Sequence, residues 1–380
     1  MKALLTVHLA DSSNVHPQSD LLKPDEAQLV LCFGGRAAIE AEQPYQMLRQ
    51  QYPMAQIAIC STAGEIFGTN VYDGTLTVAA LQFKHTPLVC QSVNVNQYPN
   101  SYEAGKALLQ QFNQQNLSYV LVLSDGSRVN GSELAKGMSE IGGPQLLITG
   151  GLAGDGSSFQ STLVGLNSNP IDGLIVAIGF YGQAIQVHHG TKGGWETFGP
   201  ERKVTKSAAN ILYEVDGKKV LDIYKRYLGA EAASLPGSAL LFPLSVVTEA
   251  GQEALVRTIL SIDEDQGSMT FAGDIPQGAK VRFMKANFDK LTAAASGAAQ
   301  AALDGSGVPP KLALLISCVG RKLILQSRTE EEVEAIDDIF NQQTLLTGFY
   351  SYGEISPFVT GSPCQLHNQT MTITTFDESE

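Results

Sequence analysis

The chain has 380 residues, 43% apolar and 17% charged, with a formal net charge of −13 at neutral pH. That length has room for two domains. So acidic a chain, with no lysine–arginine run, excludes nonspecific nucleic-acid binding and attachment to an anionic membrane surface. Its longest apolar runs are too short for membrane insertion. Five dispersed cysteines form neither a disulfide framework nor zinc-ligand spacing.

Ala3–Ala10 is an apolar start broken by His8 with no cleavage site, which reads as a mature cytoplasmic N-terminus. Asp11–Asp20 reads as an exposed polar loop. Leu29–Gly35 is the first strand, and Ala37–Gln51 a helix with Pro44 near its first turn. Gln56–Cys60 is a buried strand that stops on the small residues Ser61 to Gly64, after which Glu65 brings a carboxylate. Gly74–Phe83 and Leu88–Val95 read as strands and Tyr102–Gln111 as an amphipathic helix. Tyr119–Ser127 and Gln145–Asp155 are apolar runs flanking a helix at Ser132–Ile141, with Ser132 as its N-cap. Leu163–His189 returns to β pattern. Val204–Leu228 holds a short strand, an Asp216-Gly217 turn and the helix Val220–Leu228, closed by Gly229.

A domain boundary is placed here, giving residues 1–215 and 216–380. Strands follow at Ala239–Phe242, Ala254–Ile262, Ser268–Phe271 and Lys280–Met284, then an alanine-rich helix at Phe288–Leu303. Leu312–Gly320, the helix Thr329–Asn341, Leu345–Ile355 and a strand at Thr370–Thr375 complete the chain. Hairpins mixed with strand–helix–strand units predict an α+β fold of two layered domains with mixed sheets.

Three of these segments share one plan: an apolar run ending in small residues, a helix, and a second such run ending in a carboxylate. They pair Leu29–Gly35 with Ala55–Gly68, Tyr119–Ser127 with Gln145–Asp155, and Leu312–Gly320 with Leu345–Ile355. The repeat is clearer in pattern than in identity. Glycine-rich strand ends of this kind present N–H donors to an anion. Glu65, Asp125, Asp155 and Glu354 are placed to receive an ammonium group, and Arg128 or Arg321 to clamp a carboxylate. Glu65 and Glu354 have a second reading, as acceptors for neighbouring loop N–H groups.

The segments CSTAGEI (Cys60–Ile66), LSDGSRVNGSELAKG (Leu123–Gly137) and TGGLAGD (Thr149–Asp155) resemble the N-terminal half of the FIST domain. SCVGR (Ser317–Arg321), GFYSYGEI (Gly348–Ile355) and HNQT (His367–Thr370) resemble its C-terminal half. The resemblance runs from about Ala27 to the end. It implies a stand-alone sensory protein that binds a small, amino-acid-like molecule between its halves. The implied partner is a signalling protein such as a histidine kinase or a cyclic-dinucleotide enzyme. The expected contacts are Ser61, Glu65, Ser124, Asp125, Gly126, Arg128, Gly150, Gly151, Asp155, Arg321, Tyr350, Glu354 and Asn368.

Some members of the family are haem proteins that sense nitric oxide, so haem b is an alternative cofactor. His188 and His189, near Trp195 and Phe198, are the candidate axial ligands, and at most one of two adjacent strand residues enters a given pocket. Covalent haem attachment is excluded, because Cys-x-x-Cys-His does not occur. No Gly-x-Ser-x-Gly, His-Glu-x-x-His or Walker segment occurs, and GGLAGDG has the wrong glycine order for a dinucleotide fingerprint. An enzyme reading therefore rests on Cys60 or Cys318 alone, and neither has a neighbouring histidine in sequence.

Overall fold

The structure is a computed structural model and describes residues 1–9, 12–235, 237–248, 254–359 and 361–379. It consists of a body of three six-stranded sheets and a smaller unit carrying an eight-stranded sheet. The α+β class holds, and the three repeated segments are the three sheets of the body.

Each body sheet is built on a parallel pair joined by helical chain: Leu29–Gly35 with Gln56–Thr62, Leu117–Ser124 with Leu147–Leu152, and Leu312–Cys318 with Leu345–Ser351. An antiparallel strand closes one side of each pair: Leu76–Gln82, Leu174–Tyr181 and Met371–Glu378 respectively. The parallel strands are mostly apolar because both faces are covered. Leu31 and Phe33, Leu121 and Leu123, and Leu314 and Ile316 meet in one central core shared by all three sheets. The alternate residues Val30, Val122 and Leu315 face outward under helices. Phe33 stacks on Phe349 across that core, their ring centroids 4.9 Å apart.

The other side of each pair is an open edge, and the chain fills it by a cyclic exchange. After Gln56–Thr62 the chain crosses to pair Glu65–Phe67 with Leu345–Ser351. After Leu345–Ser351 it crosses to pair Gly353–Pro357 with Leu147–Leu152. After Leu147–Leu152 it crosses to pair Val164–Leu166 with Gln56–Thr62. An unpaired edge is a site for wrong pairing; here each sheet lends the strand that blocks another's. The crossovers bond one another, Gly154 N to Ser61 O at 2.9 Å, Ala63 N to Tyr350 O at 2.8 Å and Tyr352 N to Leu152 O at 3.1 Å. The three strand ends therefore converge at one end of the body.

The smaller unit spans Glu196–Lys285. Its sheet runs Leu255–Arg257, Leu244–Val247, Lys280–Lys285, Glu196–Ala208, Ile211–Val215, Ser268–Phe271, Ile259–Asp263. The two edge strands are separated in sequence by Thr258 alone, so the sheet must curl until its edges nearly touch. Val204, Leu212, Tyr224, Met269 and Phe283 fill its own core. The expected boundary at 215/216 lies inside this unit, at the turn between Ile211–Val215 and Lys218–Lys219, and Val204 and Val215 share a core with Val220.

Several expected elements differ in detail. The helix Ala37–Gln51 is two helices, Arg36–Glu42 and Pro44–Gln51, with Gln43 left-handed at φ 44, because Pro44 supplies no N–H to continue the first. Residues 239–242 lie mostly in the 3-10 turn Gly237–Leu241, and the strand begins only after Pro243, at Leu244. The expected loop at Asp11–Asp20 contains the edge strand Ser12–Val15, and its first residue lies outside the described residues. Gly320 belongs to a helix, Val319–Leu325.

Gly150 and Gly348 occupy the same place in the second and third pairs. A Cβ on either would sit 1.9 Å from Val122 O or 1.8 Å from Leu315 O. Both neighbours are backbone in the middle of a sheet and cannot yield. Gly150→Ala and Gly348→Ala are each expected to cost about 3 kcal/mol or more, beyond the usual range for overpacking, read as a lower urea midpoint at unchanged slope.

Candidate functional site

Three buried carboxylates stitch the body. Glu65 accepts from the Thr62 hydroxyl and, at 2.9 Å each, from Thr75 N–H and Oγ1. Glu354 repeats the arrangement, accepting from Ser351 Oγ at 2.6 Å, Thr370 Oγ1 at 2.8 Å and Thr370 N at 3.1 Å. Asp125 serves the second sheet, accepting from Ser127 N, Arg128 N and Gly173 N at 2.6–2.9 Å. Thr75, Gly173 and Thr370 each stand just before the antiparallel strand of a sheet, so one carboxylate per sheet anchors the start of that strand. The second reading of Glu65 and Glu354 is the one the structure supports, and neither is free for an ammonium group.

Arg321 is also internal. It is fully buried, pairs with the equally buried Glu332 at 2.7 Å, and donates to the carbonyls of Gly193 and Leu291. The Tyr350 hydroxyl donates to the same glutamate at 2.8 Å. A carboxylate clamp needs a guanidinium with spare donors near solvent, and Arg321 is not one. Ser61 Oγ accepts from Leu163 N at 2.8 Å, and Ser124 Oγ donates to the Asp125 carbonyl. Gly150 and Gly151 lie within their strand. Asn368 is fully buried, and neither its amide oxygen nor its amide nitrogen has a partner among the described residues.

Two expected residues, Gly126 and Arg128, line a cleft of about 750 Å³. One wall is the loop Gly126–Gly131 and the segment Ser157–Phe159, from the body. The other is Asn210, Leu240, Ile259–Ser261 and Phe271–Gly273, from the smaller unit, and Tyr352 also borders it. Polar contacts tie the units together: Asn130 Nδ2 to Asp274 Oδ1 at 3.1 Å, and the buried Arg257 to the Leu366 carbonyl at 2.9 Å. Glu65 and Asp155 border a separate cavity of about 470 Å³ with Arg36, Glu40 and Asp73. Ser158 belongs to both cavities. The Tyr352 hydroxyl and the N–H groups of Gln160 and Ser161 hold the Asp155 carboxylate.

The cleft wall is not a ready anion cradle. Gly126 N–H donates to Thr162, those of Ser127 and Arg128 to Asp125, and that of Asn130 to Ser101. The Asn130 side chain caps the helix Gly131–Gly142. Arg128 is the accessible donor; about half exposed, it meets Asp172 at 2.7 Å. Sequence reasoning missed the residues from the smaller unit, which carry no motif. Phe159 had a signal, being a lone aromatic in the polar stretch GDGSSFQST.

His188 and His189 border a cavity of about 130 Å³, below the roughly 300 Å³ at which ligand sites begin. His189 also borders a groove of about 770 Å³ with Lys192, Trp195 and Phe358. Its Nε2 is occupied at 3.2 Å by the Pro357 carbonyl, and burial lowers its pKa. Cys60 and Cys318 are buried, and burial pushes both thiols far up. Among the described residues no cluster of His, Cys, Asp and Glu has the arrangement of a metal site, and no helix is long and apolar enough to cross a membrane.

The model of the FIST N domain matches residues 28–218, and that of the FIST C domain residues 221–357. Among curated proteins none matches. Among solved structures, the chain is similar to cyanuric acid hydrolase from A. caulinodans, with all of both chains covered, at 8% identity and a TM-score of 0.37. It is also similar to a chorismatase, with 98% of each chain covered, at 10% identity and a TM-score of 0.36. Scores this low carry nothing about chemistry.

Two outcomes separate these roles. Arg321→Ala is expected to cost about 3–5 kcal/mol, because it strands Glu332 as a buried charge, whereas Arg128→Ala should cost about 1 kcal/mol or less; chemical denaturation measures both. Burial lifts Glu65 from the ordinary 4.5 to about 7 and Glu354 to about 8. The folded state then holds protons that the unfolded chain has lost, so the stability these two groups contribute falls as pH rises from about 4.5 through about 8. Buried histidines, His367 at about 4 among them, give the opposite slope below 6.5. The urea midpoint should therefore decline between about 6.5 and 8, and that decline should flatten in a Glu65→Gln, Glu354→Gln double variant.

Proposed function

This chain belongs to the FIST family of sensory, ligand-binding domains, and we propose that it senses a small polar molecule held in the 750 Å³ cleft between body and smaller unit. The observation that carries the reading is the lining: Arg128, Phe159 and Tyr352 come from the body, and Asn210, Leu240 and Phe271 from the smaller unit. A ligand touching both walls prefers one relative position of the two units, and only such a preference shifts a conformational balance. The volume lies within the range of pockets that enclose small ligands. Arg128 receives an anionic group of the ligand, in exchange for part of its contact with Asp172. The shift in the smaller unit is read by a signalling partner of the histidine-kinase or cyclic-dinucleotide-enzyme class.

A thermal-shift screen of small carboxylates tests the cleft. A binder present at 100 times its dissociation constant adds about 2.7 kcal/mol of stability. Arg128→Ala should weaken that binder about tenfold or more, and Ser261→Trp, which fills the cleft from the smaller unit, should abolish the shift. A shift that survives both substitutions places the ligand elsewhere.

A further inference from the structure

Ligand class follows from the charge and shape of the cleft's lining. Among the described lining residues Arg128 is the single charged side chain. Asp172 Oδ2 meets its Nε and Nη2 at 2.8 and 2.7 Å, and its Nη1 has no partner among the described residues. The lining itself holds no carboxylate, and the two that adjoin it, Asp172 and Asp274, are engaged by Arg128 and Asn130. The carboxylates that sequence reading offered to an ammonium group are either buried and fully bonded, as Glu65, Asp125 and Glu354 are, or held by Tyr352 and two backbone N–H groups, as Asp155 is. An amino acid's ammonium group would have to take Asp172 from Arg128 or Asp274 from Asn130.

The remaining lining is uncharged: Ser127, Asn130, Ser157, Ser158, Asn210 and Ser261 are polar, and the larger side chains are apolar or aromatic. Phe159 stacks on Tyr352 with centroids 4.5 Å apart and planes 17° from parallel. Phe159 is 38% exposed, and its backbone is left-handed at φ 52, a conformation that costs a bulky residue energy and that proteins keep chiefly where the position is over-determined. Tyr352 holds the loop there, since its hydroxyl accepts from the Phe159 N–H at 3.0 Å. Leu240, Ile259, Leu260 and Phe271 supply the facing wall. Flat aromatic faces prefer flat partners in offset stacks, and the planar guanidinium prefers a carboxylate.

We infer that the cleft takes a flat, π-bearing monoanion: fused or single aromatic rings bearing one carboxylate, with the rings against Phe159 and the carboxylate on Arg128. This rests on the cleft being the ligand site, as proposed above.

The test is titration calorimetry on the full chain with four probes: 2-naphthoate, its saturated analogue decahydro-2-naphthoate, 2-naphthylmethylammonium, and tryptophan. Binding of 2-naphthoate is expected, at least about tenfold tighter than the saturated acid, with no detectable heat from the cation or the zwitterion. Arg128→Gln should weaken naphthoate about tenfold or more. Phe159→Leu should remove the preference for the unsaturated ring while leaving the two acids bound. Cation or zwitterion binding as tight as naphthoate, or a ring preference that survives Phe159→Leu, overturns the ligand class. If such binding is lost in Ser261→Trp, the cleft still stands as the site. Failure of all four probes to bind overturns the ligand class alone, the cleft being tested by the carboxylate screen; binding indifferent to Ser261→Trp overturns both.

Discussion

The cyclic exchange of edge strands is the constraint on which the rest of the molecule depends. A parallel pair joined by a helix leaves one side of its sheet unpaired, and in this chain each pair is completed by a strand that has just left another. Three sheets so linked cannot separate without breaking all three edges. The exchange also fixes where chemistry can occur, because every crossover passes over the same end of the body. There the backbone must turn sharply in little space, which accounts for the small residues at each strand end and for the glycines pressed against neighbouring carbonyls. Each sheet then needs an acceptor for the N–H that opens its antiparallel strand, and Glu65, Asp125 and Glu354 supply it.

Three similar strand ends receive three different fates. The third is filled from within: Arg321, Glu332 and Tyr350 bond one another, and carbonyls of Gly193 and Leu291 complete the guanidinium's partners. The first opens onto a cavity whose deepest carboxylate, Glu65, is already engaged. The second faces the smaller unit across a cleft, which Tyr352 of the third crossover also borders. A pseudo-symmetric body thus acquires one distinctive face because a second unit was placed over one of three equivalent positions.

Much of the body was legible in the sequence. Doubly buried strands are written as apolar runs, and the runs, their helices and their spacing identified all three units. The exchanged pairing of Gly353–Pro357 was not legible, since its partner Leu147–Leu152 lies far away in sequence and no local pattern marks it. The site was harder still. A carboxylate after a glycine-rich loop looks the same whether it awaits a ligand or satisfies a turn; only the positions of Thr75 and Thr370 decide it. Arg321 looked like a clamp because its partner, Glu332, is hidden on the buried face of a helix, one turn before Ile336. That spacing was the available clue. Arg128 and Gly126 were found because their loop reaches the cleft, whereas Asn210, Leu240 and Phe271 belong to ordinary strands and turns that only the fold brings there.

The central claim is that the smaller unit moves relative to the body when the cleft is filled. The direct measurement is the spin-label distance between Gln111→Cys on the body and Asp222→Cys on the smaller unit, both exposed positions, with and without a saturating cleft binder. A narrowed and shifted distribution on binding is the predicted result. A distribution unchanged at full occupancy would contradict the claim, leaving a cleft that binds without reporting.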